Sequence, residues 1–476
     1  MSFEDMPTGV GPVFEGQRIK GDQTYVELGG PKQDMKFELV QVKPAKAIKD
    51  GNVEIIGPDI PDITEGSNIP FGMVIEMAGK KLDAELESVL ERRIHEFTNY
   101  IEGTMHLNQR YDIWERVSKA AVAKGFDSLK YIGTILIRLF KAELPIVEKA
   151  QVTMYTDKEA LTPVYQEAME IYKARDEKVA GMSDEGVDTF FGCVLCQSFA
   201  PTHCCIVTPE RTGLCGAINY FDARASAKVD PKGPNFPITK GTVINENYGE
   251  FEGVNATLDK RSLGEVKRIS LYSAMEVPHT SCGCFEAIVF AIPEVGGMGI
   301  VDRNFKGSAV NGLPFSTMAN QTGGGKQVAG FHGVAINYLK SKKFIRADGG
   351  WNSIVWIPSK VKERVKEAIP ADIIDKIATE IDCTDLDGLM KFIKAKGHPL
   401  AAKLAATEEK ALAPAEAETG EQGMMPAGGF PVGTIQMALP GAGGGMGIKV
   451  ILKNCKIHAE KIIIKRMEPA MAAKKK

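Results

Sequence analysis

The chain has 476 residues, of which 44% are hydrophobic and 25% charged; this is ordinary globular composition and excludes a chain disordered throughout. At roughly 100–200 residues per domain it has room for about two to four domains. Its 58 Lys and Arg against 61 Asp and Glu leave a net charge of −3, which excludes a polycation built to coat nucleic acid.

The N-terminal MSFEDMPTGVGPVFEG has no charged-then-apolar export pattern, so a cytoplasmic protein is expected. Residues 1–80 alternate short β-type runs with turns: Thr24–Leu28, Met35–Val40, Val53–Ile56 and Met73–Ile75. From 83 to 177 the pattern is mainly helical. Leu86, Val89, Leu90, Ile94, Phe97 and Ile101 recur at three- and four-residue steps and form one apolar stripe. Further helices are expected near Tyr111–Ala123, Ser128–Phe140 and Thr162–Ala174. Residues 187–357 are rich in Gly, Cys and strand-like runs, among them Arg268–Tyr272, Ala287–Ile292 and Ser353–Ile357. Helical patterning returns from Pro358 to about Glu409. The stretch ALAPAEAETGEQGMMPAGG has little to bury and reads as a linker. Lys449–Leu452 and Ile457–Ile464 then read as a small β tail. The longest uncharged stretch, Gln422–Ile448, is broken by Pro426, Pro431 and Pro440, so no membrane span is expected. The fold class is therefore α/β: two mixed α/β domains over 1–185 and 186–405, a flexible linker over 406–430 and a β tail over 431–476.

The chain has nine cysteines, and five of them lie within 23 residues. An odd count without an export signal argues against a disulfide framework. The first cluster is Cys193-x2-Cys196-x7-Cys204-Cys205-x9-Cys215. A Cys-x2-Cys loop brings two thiolates to one centre, and two more cysteines complete four ligands, enough for tetrahedral zinc or a cubane iron–sulfur cluster. Spacing alone leaves zinc and iron–sulfur open, and does not choose between Cys204 and Cys205. The second element is Cys282-Gly283-Cys284. Its two thiolates and the backbone nitrogens of Gly283 and Cys284 can close fused chelate rings around one Ni(II), whose d-electron preference rewards a planar field that zinc does not need. Glycine between them lets the backbone bend without a Cβ in the way. By itself Cys-Gly-Cys is equally a pair of buried cysteines or two extra zinc ligands.

Together these residues resemble the nickel–iron–sulfur site of acetyl-CoA synthases, and in particular the beta subunits of archaeal-type acetyl-CoA decarbonylase/synthase complexes. The resemblance rests on FGCVLCQSFAPTHCCIVTPERTGLCGAINYFDARAS (Phe191–Ser226), on HTSCGCFE (His279–Glu286), and on the 67 positions from Cys215 to Cys282. It continues through LPFSTMANQTGGGKQVAGFHG, through LKSKKFI (Leu339–Ile345) and, upstream, through VIEMAGKKLDAELESVLERRIHEFTNYIEGTMHLNQRYDIW, spanning roughly residues 5–400.

The resemblance implies that Cys193, Cys196, Cys205 and Cys215 hold a [4Fe-4S] cluster. It implies that Cys196 also bridges to a proximal nickel, which Cys282 and Cys284 share with a distal nickel bound by the backbone nitrogens of Gly283 and Cys284. Cys204 falls where the family needs no thiol, and Cys383 and Cys455 stand apart as ordinary thiols. The implied reaction is the reversible joining of CO, a methyl group and coenzyme A. The implied partners are a corrinoid iron–sulfur protein that brings the methyl group and carbon monoxide dehydrogenase subunits. Relative to the longer bacterial enzymes the chain starts where their second domain starts, so a separate subunit is expected to supply CO. Phe199 matches an aromatic beside the open nickel position and Trp114 another pocket aromatic, with core packing as the plain alternative for each. His203 and His279 lie close to ligand cysteines, where they would donate to sulfur or serve the structure alone.

Domain 1–185 is expected to bind coenzyme A. Arg92, Arg93, Arg110, Arg116 and Arg138 concentrate there and suit phosphate bidentately, although a charge-lined helix face explains any one of them equally well. Gly323-Gly324-Gly325-Lys326 lacks the Ser/Thr and strand context of a phosphate loop and is read as a turn packing near the cluster. A non-catalytic iron–sulfur or zinc scaffold, or an electron-transfer subunit, is the competing reading; nickel separates the two.

Overall fold

The computed structural model describes residues 6–107 and 110–402. Residues 6–402 lie within one compact unit. The expected linker, the β tail and Cys455 lie outside the described residues.

The N-terminal part is built on two four-stranded mixed sheets. One orders Lys36–Val42, Phe71–Ala78, Lys149–Tyr155 and Val53–Ile56, with the first pair parallel and the central pair antiparallel. Alternation along its first strand decides what each face buries. Phe37 and Leu39 pack with Leu161, Ala168 and Tyr172 of the Lys158–Glu177 helix. Val40 turns the other way, into a core shared with Leu90, Ile94 and Phe97 of the Glu87–Asn99 helix and with Ile132, Leu136 and Phe140 of Lys130–Glu143. Helices thus cover both faces of a sheet, which is the α/β class read from the sequence.

The second sheet pairs Thr24–Gly29 with Ser67–Ile69 and Trp114–Ser118, the last also pairing with Thr104–Leu107. This corrects the helix expected over Tyr111–Ala123. That stretch holds a 3-10 turn at Arg110–Asp112, the strand Trp114–Ser118 and a short helix, Lys119–Ala123. Glu115 and Val117 are fully buried while Trp114 and Arg116 are half-buried, a period of two that the helical reading misses.

The cysteine-bearing part has a three-stranded antiparallel sheet, Cys205–Val207, Thr189–Cys193 and Asn235–Thr239. It also has a four-stranded sheet ordered Phe331–Val334, Ala287–Ile292, Gly297–Asp302 and Ile354–Trp356. The strand expected at Arg268–Tyr272 does not form. Ser270 makes a single bridge to Pro278, while Ile269, Leu271 and Tyr272 bury themselves as an irregular segment. Among the described residues no helix is long and apolar enough to cross a membrane.

Candidate metal centre

The spacing of the first cysteines follows from a hairpin. Cys193 ends the strand Thr189–Cys193, the chain turns through Cys196, and Cys205 returns directly opposite Cys193. The Cys196 carbonyl accepts from Phe199 N at 3.3 Å and Ala200 N at 2.9 Å, which closes the turn. Adjacent residues on a strand point to opposite faces. Cys205 accordingly joins Cys193, Cys196, Cys282 and Cys284 in one buried cluster, against which Cys215 packs. Cys204 faces Phe190, Ile206 and Phe236 instead.

Cys282 and Cys284 reach this cluster from the loop before strand Ala287–Ile292. Their thiols are in hydrogen-bonding contact with the Cys196 sulfur. The Cys284 amide faces the Cys282 sulfur at 3.4 Å. The ring of Phe199 lies 3.3 Å from where a Cβ would stand on Gly283, so any side chain at 283 presses on Phe199. Gly324 N donates to the Cys282 carbonyl at 2.5 Å and Gly325 N to Ser281 O at 2.8 Å. A Cβ on Gly325 would meet Thr202 Oγ1 at 2.3 Å. The glycine run is therefore the floor on which both cysteine loops rest.

The Glu87–Asn99 helix supplies the opposite wall. Arg92 Nη2 donates to the Cys196 sulfur at 3.1 Å, and one turn on His95 Nε2 lies 3.6 Å from Cys284 Sγ. The other ring nitrogen of His95 meets His106 Nδ1 at 2.9 Å, and His106 Nε2 meets Glu38 Oε1 at 2.5 Å. Asn99 braces the pair through the carbonyls of both histidines, at 2.8 and 2.9 Å. This buried chain runs from Cys284 to the Lys36–Val42 strand of the N-terminal sheet. In the sequence its only trace is a pair of polar residues, Arg92 and His95, beside an apolar helix stripe.

Charge at the site is one-sided. Burial raises the thiols of Cys193 and Cys215, and carries Cys205 up to about 12. Hydrogen bonding to Cys196, then burial, raises Cys282 and Cys284. Those same donors, helped by Arg92, hold Cys196 well below the usual thiol range. Burial, then Arg92, keeps His95 neutral. Burial also lowers His203 to about 4. Arg92 Nη1 and Arg303 Nε are buried without acceptors. Uncompensated buried cations are costly, so this donor set fits an anionic group built of thiolates and a soft metal that deprotonates them. Among the described residues no three His, Cys, Asp or Glu side chains are already posed around one ion position; the free thiols of Cys282 and Cys284 hydrogen-bond to Cys196 instead.

Residues 6–161 match the family described as the CO dehydrogenase/acetyl-CoA synthase complex beta subunit, and residues 172–406 match the family described as the C-terminal part of the ACS/CODH beta subunit. The chain is 51% identical over 467 residues to acetyl-CoA decarbonylase/synthase complex subunit beta 2 of Methanosarcina thermophila, covering 97% of this chain and 98% of that one. To the subunit beta 2 of Methanocaldococcus jannaschii it is 53% identical over 465 residues, covering 97% of each. The chain belongs to the family of acetyl-CoA decarbonylase/synthase complex beta subunits. The solved C-terminal domain of an acetyl-coenzyme A synthase alpha subunit is 40% identical over 25% of this chain and 95% of its own, with a TM-score of 0.24.

In this member of the beta-subunit family the five arginines expected at coenzyme A do not converge. Arg92 faces the thiols. Arg93 pairs with Glu96 at 2.6 Å. Arg110 is tied to Asp176 at 2.8 Å and to the Ala217 carbonyl at 2.9 Å. Arg116 pairs with Glu27 at 2.9 Å and lies 4.5 Å over the Trp114 ring, which also packs on Gly30. Arg138 is half-buried on the Lys130–Glu143 helix. His203 binds Thr280 Oγ1 at 2.9 Å, and His279 accepts from Ile206 N at 3.2 Å. Cys383 sits beside the start of the Leu386–Ala395 helix, near Gly388.

Proposed function

We propose that this chain forms and cleaves acetyl-CoA within a decarbonylase/synthase complex, joining CO, a methyl group from a corrinoid iron–sulfur protein and coenzyme A at a nickel–nickel–[4Fe-4S] cluster. The observation that carries the reading is the convergence of Cys282 and Cys284 on Cys196, a residue of the other cysteine loop. Cys193, Cys196, Cys205 and Cys215 would hold the iron–sulfur part. Cys196, Cys282 and Cys284 would hold the proximal nickel, and the two last sulfurs with the nitrogens of Gly283 and Cys284 the distal one. The cluster supplies electron-rich nickel for making and breaking the carbon–carbon bond, chemistry that no side chain offers.

The protein's own residues shape that chemistry. Phe199 stands over Gly283 and restricts approach to the Cys-Gly-Cys loop. Arg92 balances thiolate charge at Cys196. Glu38 and His106 hold the His95 ring against Cys284. Carbon monoxide dehydrogenase subunits are the partners that this reading requires for CO.

For coenzyme A the best-suited opening is a cleft of about 910 Å³ beside the Lys158–Glu177 helix, a size suited to a large cofactor. Tyr111 and Tyr165 offer aromatic faces there, and the Arg364 guanidinium lies 4.4 Å over Tyr111. Lys340 and Lys342 are exposed on its rim and make no ion pair among the described residues. Tyr111 also donates to Glu286 at 3.1 Å, two residues past Cys284, so the cleft backs onto the metal-binding loop. Replacing Lys340 and Lys342 together by Gln is expected to weaken coenzyme A binding roughly 3- to 10-fold, as loss of exposed charge contacts does. Calorimetric titration of the full chain checks this, and an unchanged Kd would move coenzyme A to another surface.

The reading as a whole is tested by elemental analysis of anaerobically purified protein and by exchange of labelled CO into acetyl-CoA on the same sample. About two nickel and four iron per chain are expected, the content of the compound cluster. Iron without nickel, or zinc alone, would make the chain a scaffold or an electron carrier.

A further inference from the structure

We infer that Arg303, aided by the glycine turn at 323–325, neutralises the charge that the Cys282-Gly283-Cys284 backbone acquires when its amide nitrogens bind nickel. The inference rests on the nickel reading above and goes beyond it by assigning a residue outside the ligand set.

The argument starts from the peptide bond. Its nitrogen shares electrons with its own carbonyl oxygen. An amide that gives up its proton to bind a metal therefore places much of the resulting charge on that oxygen. The oxygen belonging to the Cys284 nitrogen is that of Gly283, and Arg303 Nη2 donates to it at 2.6 Å. The oxygen belonging to the Gly283 nitrogen is that of Cys282, and Gly324 N donates to it at 2.5 Å. Both oxygens that would carry amidate charge thus already face a donor, and one donor is a cation. The same guanidinium nitrogen also donates to Phe285 O at 3.0 Å, which fixes its place against the loop.

Charge balance points the same way. Two thiols and two amides holding one Ni(II) would give up four protons to solvent, and the unit would carry a net charge of two negative. Arg303 has a buried Nε without acceptor, and its bonds to this loop end on backbone carbonyls. Arg92 bonds to a sulfur. Among the described residues neither makes an ion pair with a carboxylate; the carboxylates that bear on Arg303 from a distance are Asp112 and Glu286. Two guanidiniums therefore flank a loop that would gain negative charge on binding metal, and charge-assisted bonds of this type are the strong ones.

Arg303→Gln keeps an N–H donor for the Gly283 carbonyl and removes the charge. Arg303→Lys keeps the charge and loses the fork. In Gly323→Ala the new Cβ would stand 2.8 Å from the Cys282 carbonyl oxygen, displacing the turn and its donor. Nickel and iron per chain are measured on the full-length, iron-loaded protein across a graded series of chelator. Arg303→Gln is expected to bind nickel on the order of 10-fold more weakly, the usual loss for a hydrogen bond to a charged group, with iron unchanged. Arg303→Lys should recover most of this, and Gly323→Ala should weaken nickel through the second oxygen. Wild-type nickel affinity in Arg303→Gln overturns the inference. So does a lysine variant as weak as the glutamine one, or loss of iron along with nickel, since either marks Arg303 as a brace for the loop. Wild-type chain that carries iron and binds no nickel overturns the nickel reading itself.

Discussion

Cys284→Ser is expected to strip the protein of nickel and leave most of its iron. Cys284 sits in the half of the centre that comes from the Ala287–Ile292 sheet, with its sulfur against Cys196 on one side and His95 on the other. The four sulfurs read as iron ligands come from the 193–215 segment, and the hairpin that pairs Cys193 with Cys205 closes without any contribution from residue 284. A hydroxyl in place of the thiol replaces a soft ligand by a hard one that stays protonated at neutral pH, a poor partner for nickel in this setting. Because the Cys284 sulfur would be shared by the two nickel ions, one substitution acts on both. Exchange of CO into acetyl-CoA should drop by about 100-fold or more, beyond the 10- to 100-fold typical of outer-shell changes. Parallel metal analysis and exchange assays check it. Full nickel content in Cys284→Ser would mean that the Cys-Gly-Cys loop serves the fold alone.

What the sequence reveals of this site divides by range. The convergence of the cysteines proposed as ligands is legible because their spacing is local: a strand end, a tight turn and a return strand bring Cys193, Cys196 and Cys205 together within one hairpin. Elements with clean periodicity, such as Glu87–Asn99 and Ala287–Ile292, are legible for the same reason. Arg92 and His95 are different. They lie 104 and 189 positions from the sulfurs they meet, and only the docking of one body of secondary structure on the other brings them there. The available signal is composition on one helix. Glu87–Asn99 buries Val89, Leu90, Ile94 and Phe97 but also Glu91, Arg92, His95 and Asn99. A helix buried on most of its circumference, with polar residues on one side, must meet a polar centre there. The failed readings share a cause as well. Trp114–Ser118 and Arg268–Tyr272 are short, and over so few residues helix, strand and irregular chain present the same mixture of apolar and polar types. The arginines mislead as a group because number and nearness in sequence do not show which are already neutralised; Arg93, Arg110 and Arg116 each hold a carboxylate.

Neighbouring cysteines give the sharpest remaining contrast. Cys205→Ser is expected to lose the iron–sulfur cluster, and Cys204→Ser to keep it. Sequence spacing treats the two alike, since a shift of one residue leaves the gaps to Cys196 and Cys215 plausible. The strand does not treat them alike, because consecutive side chains leave it on opposite faces. Cys205 points into the cluster of thiols, with Leu214 N donating to its sulfur at 3.4 Å. That amide bond orients the sulfur toward the loop of Cys215. Cys204 is fully buried among Phe190, Ile206, Phe236 and Leu258, an apolar pocket that offers a metal nothing else to bind. Serine at 204 buries a hydroxyl in that pocket and should cost stability of roughly 1–3 kcal/mol, visible as a lower Tm with iron intact. Serine at 205 would remove one of the four proposed iron ligands, so iron should fall toward zero and nickel should follow, because Cys196 would no longer be held as a bridging sulfur. Iron retained in Cys205→Ser but lost in Cys204→Ser would reverse the assignment and require the Cys205–Val207 strand to sit in the sheet with the opposite face inward.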